Sequence, residues 1–201
     1  MKTLITVSNT KLGGHIAQLN FPPGATCRPD APCKKDCYAR RHHFQMQPIL
    51  HSMQDKLDFY MRNPEGFFKC LDYELTMIPY RFMRYFSSGD IVDDVFFFGM
   101  VKLAKQHPGT KFLCFTKKYE LVNDYLYSGK KIPCNLIVVF SNWGEWICKN
   151  PFNLPMAWVM LRDAYIPDNA RHCKGFCPEC ITTSEDCWNM AAGDNVKFRK
   201  H

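Results

Sequence analysis

The sequence predicts an α/β protein in which about five mostly parallel strands alternate with helices. Strand-like and helix-like segments alternate along the chain, and uninterrupted apolar runs such as LIVVF at 136–140 are typical of strands covered on both faces. Because about five strands are too few for a closed eight-stranded barrel, we expect an open sheet or a partial (β/α) barrel with right-handed crossovers.

The composition is that of a single domain spanning residues 1–201. Hydrophobic residues make up 46% of the chain and charged residues 22%, as in ordinary globular proteins. No apolar run approaches the ~20 residues of a membrane-spanning helix. Residues 1–15 lack the apolar core and the cleavage site of a secretory signal. We therefore expect a cytoplasmic protein with reduced thiols and no membrane partner.

Local signals define the elements in the first part of the chain. Asn63 can cap a helix that begins at Pro64, and Pro48 should kink or restart the helical pattern before it. The predicted order is a strand at 4–8, a long loop through Gly13 and the first cysteines, a helical region at 38–62 and a helix from 64 onwards.

Apolar runs and helix breakers define the rest. The aromatic-rich run at 80–88 predicts a strand, and Gly129 should end a helix. The predicted order is a strand at 80–88, a helix at 90–106, a strand at 111–116, a helix at 117–129, and strands at 135–141 and 156–162.

Polar residues follow each predicted strand. They are Ser8 and Asn9; Ser88, Gly89 and Asp90; Thr116 and Lys117; Ser141 and Asn142; and Arg162 and Asp163. Any one of them is more often a turn former or a helix cap than a ligand-binding residue. Because the carboxyl ends of parallel strands share one edge of the sheet, where α/β proteins bind ligands, we expect them to form one polar rim.

Seven of the 11 cysteines fall into two tight groups. The first group is Cys27, Cys33 and Cys37, and the second is Cys173, Cys177, Cys180 and Cys187. An odd number of thiols in a reducing compartment argues against a disulfide framework. Of the four solitary cysteines, Cys70 and Cys114 are interpreted as small buried apolar side chains.

The grouped thiols indicate a metal centre of one of two kinds. Zinc takes four ligands, which the second group can supply and the first cannot. A [4Fe–4S] cluster can be held by three cysteines with one iron open, or by four. Nearby cations would offset the negative charge of metal-bound thiolates. They are Lys34, Lys35, Arg40 and Arg41 at one end, and Arg171, Lys174, Lys197, Arg199 and Lys200 at the other.

The spacing from Cys173 to Cys180 matches the CxxxCxxC motif of radical S-adenosylmethionine enzymes. In those enzymes the motif follows the first strand, and an aromatic residue commonly precedes its third cysteine. Here the motif lies near the end of the chain, and Glu179 occupies the position before the third cysteine where an aromatic residue is common. The first group has the early position but a looser spacing, and its aromatic, Tyr38, follows the third cysteine.

The chain also resembles a known family. TCRPDAPCKKDCYA, RYFSSGD, HPGTKFLCFTKK and a terminal cysteine cluster ending in CW occur in the order found in the phage gene product eighty-eight family. The resemblance covers nearly the whole chain. It implies an iron–sulfur protein on a reduced radical-SAM-like scaffold, encoded by a phage and working in the host cytoplasm.

The resemblance gives the polar rim a role. It implies that Ser88, Asp90, Lys117 and Ser141 line a cofactor or small-molecule pocket beside the loop at 27–37, with S-adenosylmethionine as a candidate ligand. The seven grouped cysteines would hold either two [4Fe–4S] clusters or one cluster shared between the two ends of the chain. The expected partners are a small molecule or a host electron donor.

A zinc-stapled binding module is the alternative function. In that case the basic flanks, with Tyr38, His42, His43 and Phe44, would form a surface for nucleic acid or protein. We prefer the iron–sulfur interpretation because the basic runs are short for a nucleic-acid arm. Gly-rich phosphate loops, nucleophile elbows and His-Glu-x-x-His motifs are absent from the sequence.

Overall fold

A single sheet of seven parallel strands organises the molecule. The structure is a computed structural model that describes residues 3–7, 11–144, 146, 148–162, 164–183 and 186–200. In these residues the strands are β1 Ile16–Leu19, β2 Phe82–Tyr85, β3 Lys111–Thr116, β4 Leu136–Asn142, β5 Met156–Met160, β6 Arg171–His172 and β7 Asn195–Arg199. Their order across the sheet is β1-β2-β3-β4-β5-β7-β6. The predicted α/β class with an open parallel sheet is confirmed.

Helices connect the strands, and one of them begins at Pro64, where the predicted capping residue Asn63 places it. Those in the described residues are α1 Gln47–Arg62, α2 Pro64–Met77, α3 Asp94–Gln106, α4 Tyr119–Tyr127 and the single turn α5 Cys177–Cys180. The Asn63 side chain accepts a hydrogen bond of 2.8 Å from the Gly66 N–H and so caps α2. Pro48 lies in the first turn of α1, so the helical pattern restarts there. In this part of the chain no helix is long and apolar enough to cross a membrane.

The two faces of the sheet are buried by different parts of the chain. Along β4, Val138 and Phe140 point into a core shared with α1 to α4. Val139 points the opposite way, into a second core built around Trp188. This alternation is why the strand is apolar throughout: side chains on both faces are covered. We call the side of Val139 the inner face.

The first strand lies later in the chain than predicted. Within the described residues 4–7, Thr6 forms only an isolated antiparallel bridge with Gln18. The N–H groups of Leu4 and Ile5 instead donate to the Glu74 carboxylate of α2, at 2.7 and 2.9 Å. The segment Ile16–Leu19 joins the sheet as β1; it is buried at all four positions and so lacks the alternation that marks a half-exposed strand.

The C-terminal part of the chain adds elements that the sequence did not predict. Strands β6 and β7 extend the sheet beyond β5, and residues 173–183 and 186–188 contribute side chains that pack on the inner face. The indole N–H of Trp188 donates to the carbonyl oxygen of Met83 in β2, at 3.0 Å. This bond fixes the segment against a strand more than 100 positions earlier in the chain.

Candidate functional site

A cavity of about 400 Å³ opens at the carboxyl ends of the strands. Its floor is formed by inner-face side chains, among them Arg84, Phe115 and Phe198. Its wall is the cysteine loop, which we define as residues 27–37 together with the turn that follows it. The predicted polar strand ends that line it are Ser88, Gly89, Asp90, Thr116, Lys117 and Ser141, whereas Asn142 and Arg162 do not. Of the predicted rim residues, Ser8, Asn9 and Asp163 lie outside the described residues.

All three cysteines of the first group line this cavity. Cys27, Cys33 and Cys37 are partly buried free thiols. Burial raises the pKa of the Cys27 thiol, an effect opposed by a hydrogen bond with the Gly24 backbone and reinforced by Asp90. A thiol in this setting needs a nearby positive charge or a metal to be ionised at neutral pH.

The cysteine loop is fixed from both sides. Arg28 binds both carboxylate oxygens of Asp30 at 3.0 Å and a Glu120 oxygen of α4 at 2.5 Å, and its guanidinium lies 4.9 Å from the Trp146 ring centroid. On the other side, the Tyr38 hydroxyl donates to the carbonyl oxygen of Ser87. The aromatic residue that follows the third cysteine thus joins the loop to the end of β2.

Asp90 holds the rim together. Its carboxylate is 5% exposed and accepts hydrogen bonds from the Thr116 hydroxyl at 2.6 Å and from the Lys117 and Ile91 N–H groups at 3.0 and 2.8 Å. The Asp90 N–H donates to the Thr26 hydroxyl at 2.8 Å. Burial raises the pKa of Asp90, whereas these hydrogen bonds lower it. The carboxylate therefore joins the segment after β2 to the end of β3, and the Asp90 N–H joins it to Thr26, just before the cysteine loop.

The other three predicted rim residues line the same cavity. The Lys117 ammonium donates to the Ser141 hydroxyl at 2.7 Å, so these two act as a pair. Ser88 is only 3% exposed, and its hydroxyl is buried without a hydrogen-bond partner in the described residues. The structure thus brings Ser88, Asp90, Lys117 and Ser141 together with the first three cysteines. A role for them in binding a cofactor stays a prediction.

Arg84 is a site residue that the sequence analysis missed. It lies on the inner face of β2, with its guanidinium 5.0 Å from the Phe115 ring centroid and its Nε buried without a partner. It acts on the second cysteine group: burial raises the pKa of Cys177 and of Cys187, and the Arg84 charge opposes both shifts. The sequence contained a sign of this role: in FMRY a single arginine stands among apolar residues of a strand, and a charge buried in a strand is uncommon.

The second cysteine group lies elsewhere. None of its four thiols lines the cavity; Cys173, Cys177 and Cys187 pack instead against the inner core around Trp188. Burial, followed by the proximity of Cys173 and Cys177, raises the pKa of Cys187 to about 12. The four thiols are neighbours of one another, and none of them lines the cavity with the first group.

The geometry at either group is not that of a single bound ion. Among the described residues, no three His, Cys, Asp or Glu side chains converge on a point that could hold one metal ion. All 11 cysteines are free thiols. As predicted, Cys114 is buried in the apolar core, and Cys70 packs partly buried against the same core.

The aromatic residues near the cysteine loop form a small exposed cluster. The Phe44 ring lies 5.9 Å from Tyr38 and 5.4 Å from His43, measured between centroids. The His42 side chain is outside the described part of the chain.

At the other end of the chain, Lys200 forms an ion pair of 3.0 Å with Asp36 of the cysteine loop.

The fold and the site define an open, all-parallel α/β protein with a thiol-lined cavity at the carboxyl ends of its strands. The model of the gene product 88 family matches residues 2–199, so the chain belongs to this family of phage gene products. No curated protein and no solved structure matches the chain.

Proposed function

We propose that this chain is an iron–sulfur protein of the phage-infected cell, with its first cluster at the cavity. Cys27, Cys33 and Cys37 would hold a [4Fe–4S] cluster through three irons and leave the fourth without a protein ligand. The observation that carries the proposal is that these three thiols line the same cavity as the polar strand ends. Free thiols of this kind persist in a reducing cytoplasm, which we propose as the site of action.

The donor set fits such a cluster. Each cysteine of a [4Fe–4S] cluster binds a different iron, so the sulfur atoms need not converge on one point as they must around a single ion. The thiols lie on a loop with short helical turns on either side of Cys37, outside the regular sheet. Arg84 and Lys200, which line the cavity, supply positive charge that offsets an anionic cluster.

The second group would hold a separate cluster. Cys173, Cys177, Cys180 and Cys187 offer four thiols that do not line the cavity, and all but Cys180 pack against the inner core. This separation favours two sites over one cluster shared between the ends of the chain. The cluster at the inner core, fully ligated by protein, would suit electron transfer to the cavity.

The polar rim would bind a small molecule next to the open iron, and S-adenosylmethionine is the candidate that the family resemblance implies. An iron–sulfur cluster supplies single electrons to such a ligand. Lys117 and Ser141 offer a charge-assisted donor pair, Ser88 offers a free hydroxyl, and Asp90 keeps these groups in place. The function would then be redox or radical-SAM-like, with a host electron donor as partner.

The first test is the iron, acid-labile sulfide and zinc content of anaerobically purified protein, with a visible spectrum of the same sample. Near eight irons and eight sulfides per chain are expected for two clusters, and near four for one. Addition of S-adenosylmethionine should then change the EPR signal of the reduced cluster. Zinc without sulfide contradicts the proposal.

One observation favours a second candidate for the C-terminal group. Its four thiols are the number that a closed zinc site takes, and Cys173, Cys177 and Cys187 pack against an apolar core. In this version residues 173–188 are a zinc staple, and the protein is a binding module for nucleic acid or protein. Zinc and iron present together would assign one metal to each group.

A further inference from the structure

The floor of the cavity holds two polar groups with no partner. The Nε of Arg84 and the hydroxyl of Ser88 are both buried, and neither has a hydrogen-bond partner in the part of the chain that the structure describes. Both residues line the cavity. A buried donor without an acceptor destabilises the folded protein, so two such groups in residues that line one cavity indicate a missing acceptor.

The neighbours of Arg84 do not supply that acceptor. Gln18 is opposite Arg84 in the β1–β2 register, but its carboxamide oxygen already accepts from the Ser87 hydroxyl at 3.2 Å and from Asn20 at 3.4 Å. The contact found for the guanidinium is with the face of Phe115. This stacking orients the planar group and leaves its edge available for hydrogen bonds.

The charge of the lining points to an anion. The cations that line the cavity are Lys11, Arg84, Lys117, Arg199 and Lys200, whereas the carboxylates are Asp36 and Asp90. Lys200 pairs with Asp36 at 3.0 Å, and Asp90 is engaged by the rim. An enclosed space with this surplus of positive charge attracts negative ligands.

The rest of the floor is apolar. Phe115, Val159 and Phe198 line the cavity, and the rings of Phe115 and Phe198 lie 5.8 Å apart in an edge-to-face arrangement. Sites of this kind bind the body of a small molecule through apolar contacts and orient it through a few polar groups. A bare inorganic ion would leave this surface unused.

We propose that the cavity binds an organic anion whose carboxylate or phosphate is held by Arg84 and Ser88 and whose apolar body packs on Phe115 and Phe198. The inference names the class of small molecule for the site described under the proposed function and rests on that site being a ligand pocket. It does not depend on the cluster. A cluster needs positive charge nearby, but long-range charge alone does not satisfy a buried N–H group.

Calorimetric titration of anaerobically purified protein tests the proposal with three probes of similar shape: benzoate, phenyl phosphate and neutral benzyl alcohol. The two anions distinguish a carboxylate from a phosphate ligand. At least one should bind wild-type protein ten times more tightly than the alcohol does. Arg84→Met should remove this preference, and Ser88→Ala should weaken anion binding about fivefold, the value of one lost hydrogen bond.

Arg81→Met is the matched control. Arg81 precedes β2, is exposed, and also stacks on an aromatic ring, with its guanidinium 5.3 Å from the Phe82 centroid, but it does not line the cavity. Its replacement should leave anion affinity unchanged. Because Arg84 lacks an acceptor in the ligand-free protein, Arg84→Met should not lower the thermal midpoint.

Three results would overturn the inference: no preference for either anion, equal anion affinity in Arg84→Met and wild type, or a lowered midpoint in Arg84→Met with its anion affinity intact. The iron content of every sample is measured in parallel. Anion binding without iron would leave this inference standing and remove the proposed cluster. Iron in the protein without anion binding would leave the proposed cluster standing and contradict this inference.

Discussion

The backbone N–H of Cys177 donates a hydrogen bond of 2.8 Å to the carbonyl oxygen of Lys11. The next residue, Pro178, lies directly against Gly13, where an added Cβ would be 2.6 Å from the proline Cγ. The Lys11 ammonium in turn lies over the Phe198 ring of β7, 5.1 Å from its centroid. The second cysteine group is thus docked on the chain just before β1, although its thiols do not line the cavity.

Gly13→Ala should destabilise the contact between the second cysteine group and the segment just before β1. Gly13 has a φ of +71°, which favours glycine, and the new methyl group would collide with Pro178. We expect the free energy of unfolding to fall by about 1 to 3 kcal/mol in chemical denaturation. Gly14→Ala is the control, since its Cβ would meet nothing within 4 Å; equal losses in the two variants would show that the contact with Pro178 is unimportant.

Asp90→Asn should loosen the rim of the cavity. The amide keeps one oxygen acceptor but turns an NH₂ group towards donors that now bind a carboxylate. Because the site is buried, we expect a loss of ~2 to 4 kcal/mol in the free energy of unfolding. The exposed Asp94, one turn further on in α3, provides the control Asp94→Asn. A similar small effect in both variants would contradict a structural role for the Asp90 carboxylate.

Lys56 should make stability depend on pH above neutrality. It is 5% exposed, and burial lowers its pKa to about 8, although Glu74 opposes the shift. Between pH 8 and the ordinary lysine pKa of 10.5, the unfolded chain binds more protons than the folded protein, so the free energy of unfolding rises with pH. Relative to Lys56→Met, wild type should gain ~2 to 3 kcal/mol across that window.

Urea denaturation at a series of pH values measures this difference. Lys69→Met is the control, because Lys69 is exposed on α2 and paired with Glu65 at 2.7 Å. The difference between wild type and Lys69→Met should stay nearly constant with pH. A difference between wild type and Lys56→Met that is also constant would show that Lys56 is not desolvated in the folded protein.

The iron and sulfide content of single cysteine variants should show how many clusters the chain holds. If the two groups hold separate clusters, Cys33→Ala and Cys177→Ala should each lose about four irons and four sulfides per chain. Cys134→Ala changes an exposed solitary thiol and should keep the full content. Loss of all iron in either variant would favour one shared cluster, and a full iron content in Cys33→Ala or Cys177→Ala would remove that group from the metal site.

Local sequence signals predicted the helices and strands whose bounds depend on residues close by in the chain. The bounds of β3 are as predicted because its apolar run is flanked by polar and turn-forming residues. Helix α2 begins at Pro64, as predicted, because Asn63 caps it. Strand β1 was missed because Ile16–Leu19 is short and lacks alternation. The run at 4–7 resembled a strand, but its backbone N–H groups bond with Glu74, about 70 positions away, which no local pattern reveals.

The sequence by itself determined the α/β class, the grouping of the thiols and the placing of polar residues at strand ends. Spacing along the chain and side-chain periodicity are enough for these, since both arise within a few residues. Only the tertiary structure decided that the first three thiols line the cavity and that Cys173, Cys177 and Cys187 pack on the inner core. It also decided that Arg84 lies between them without an acceptor, because burial and pairing depend on segments distant in the chain.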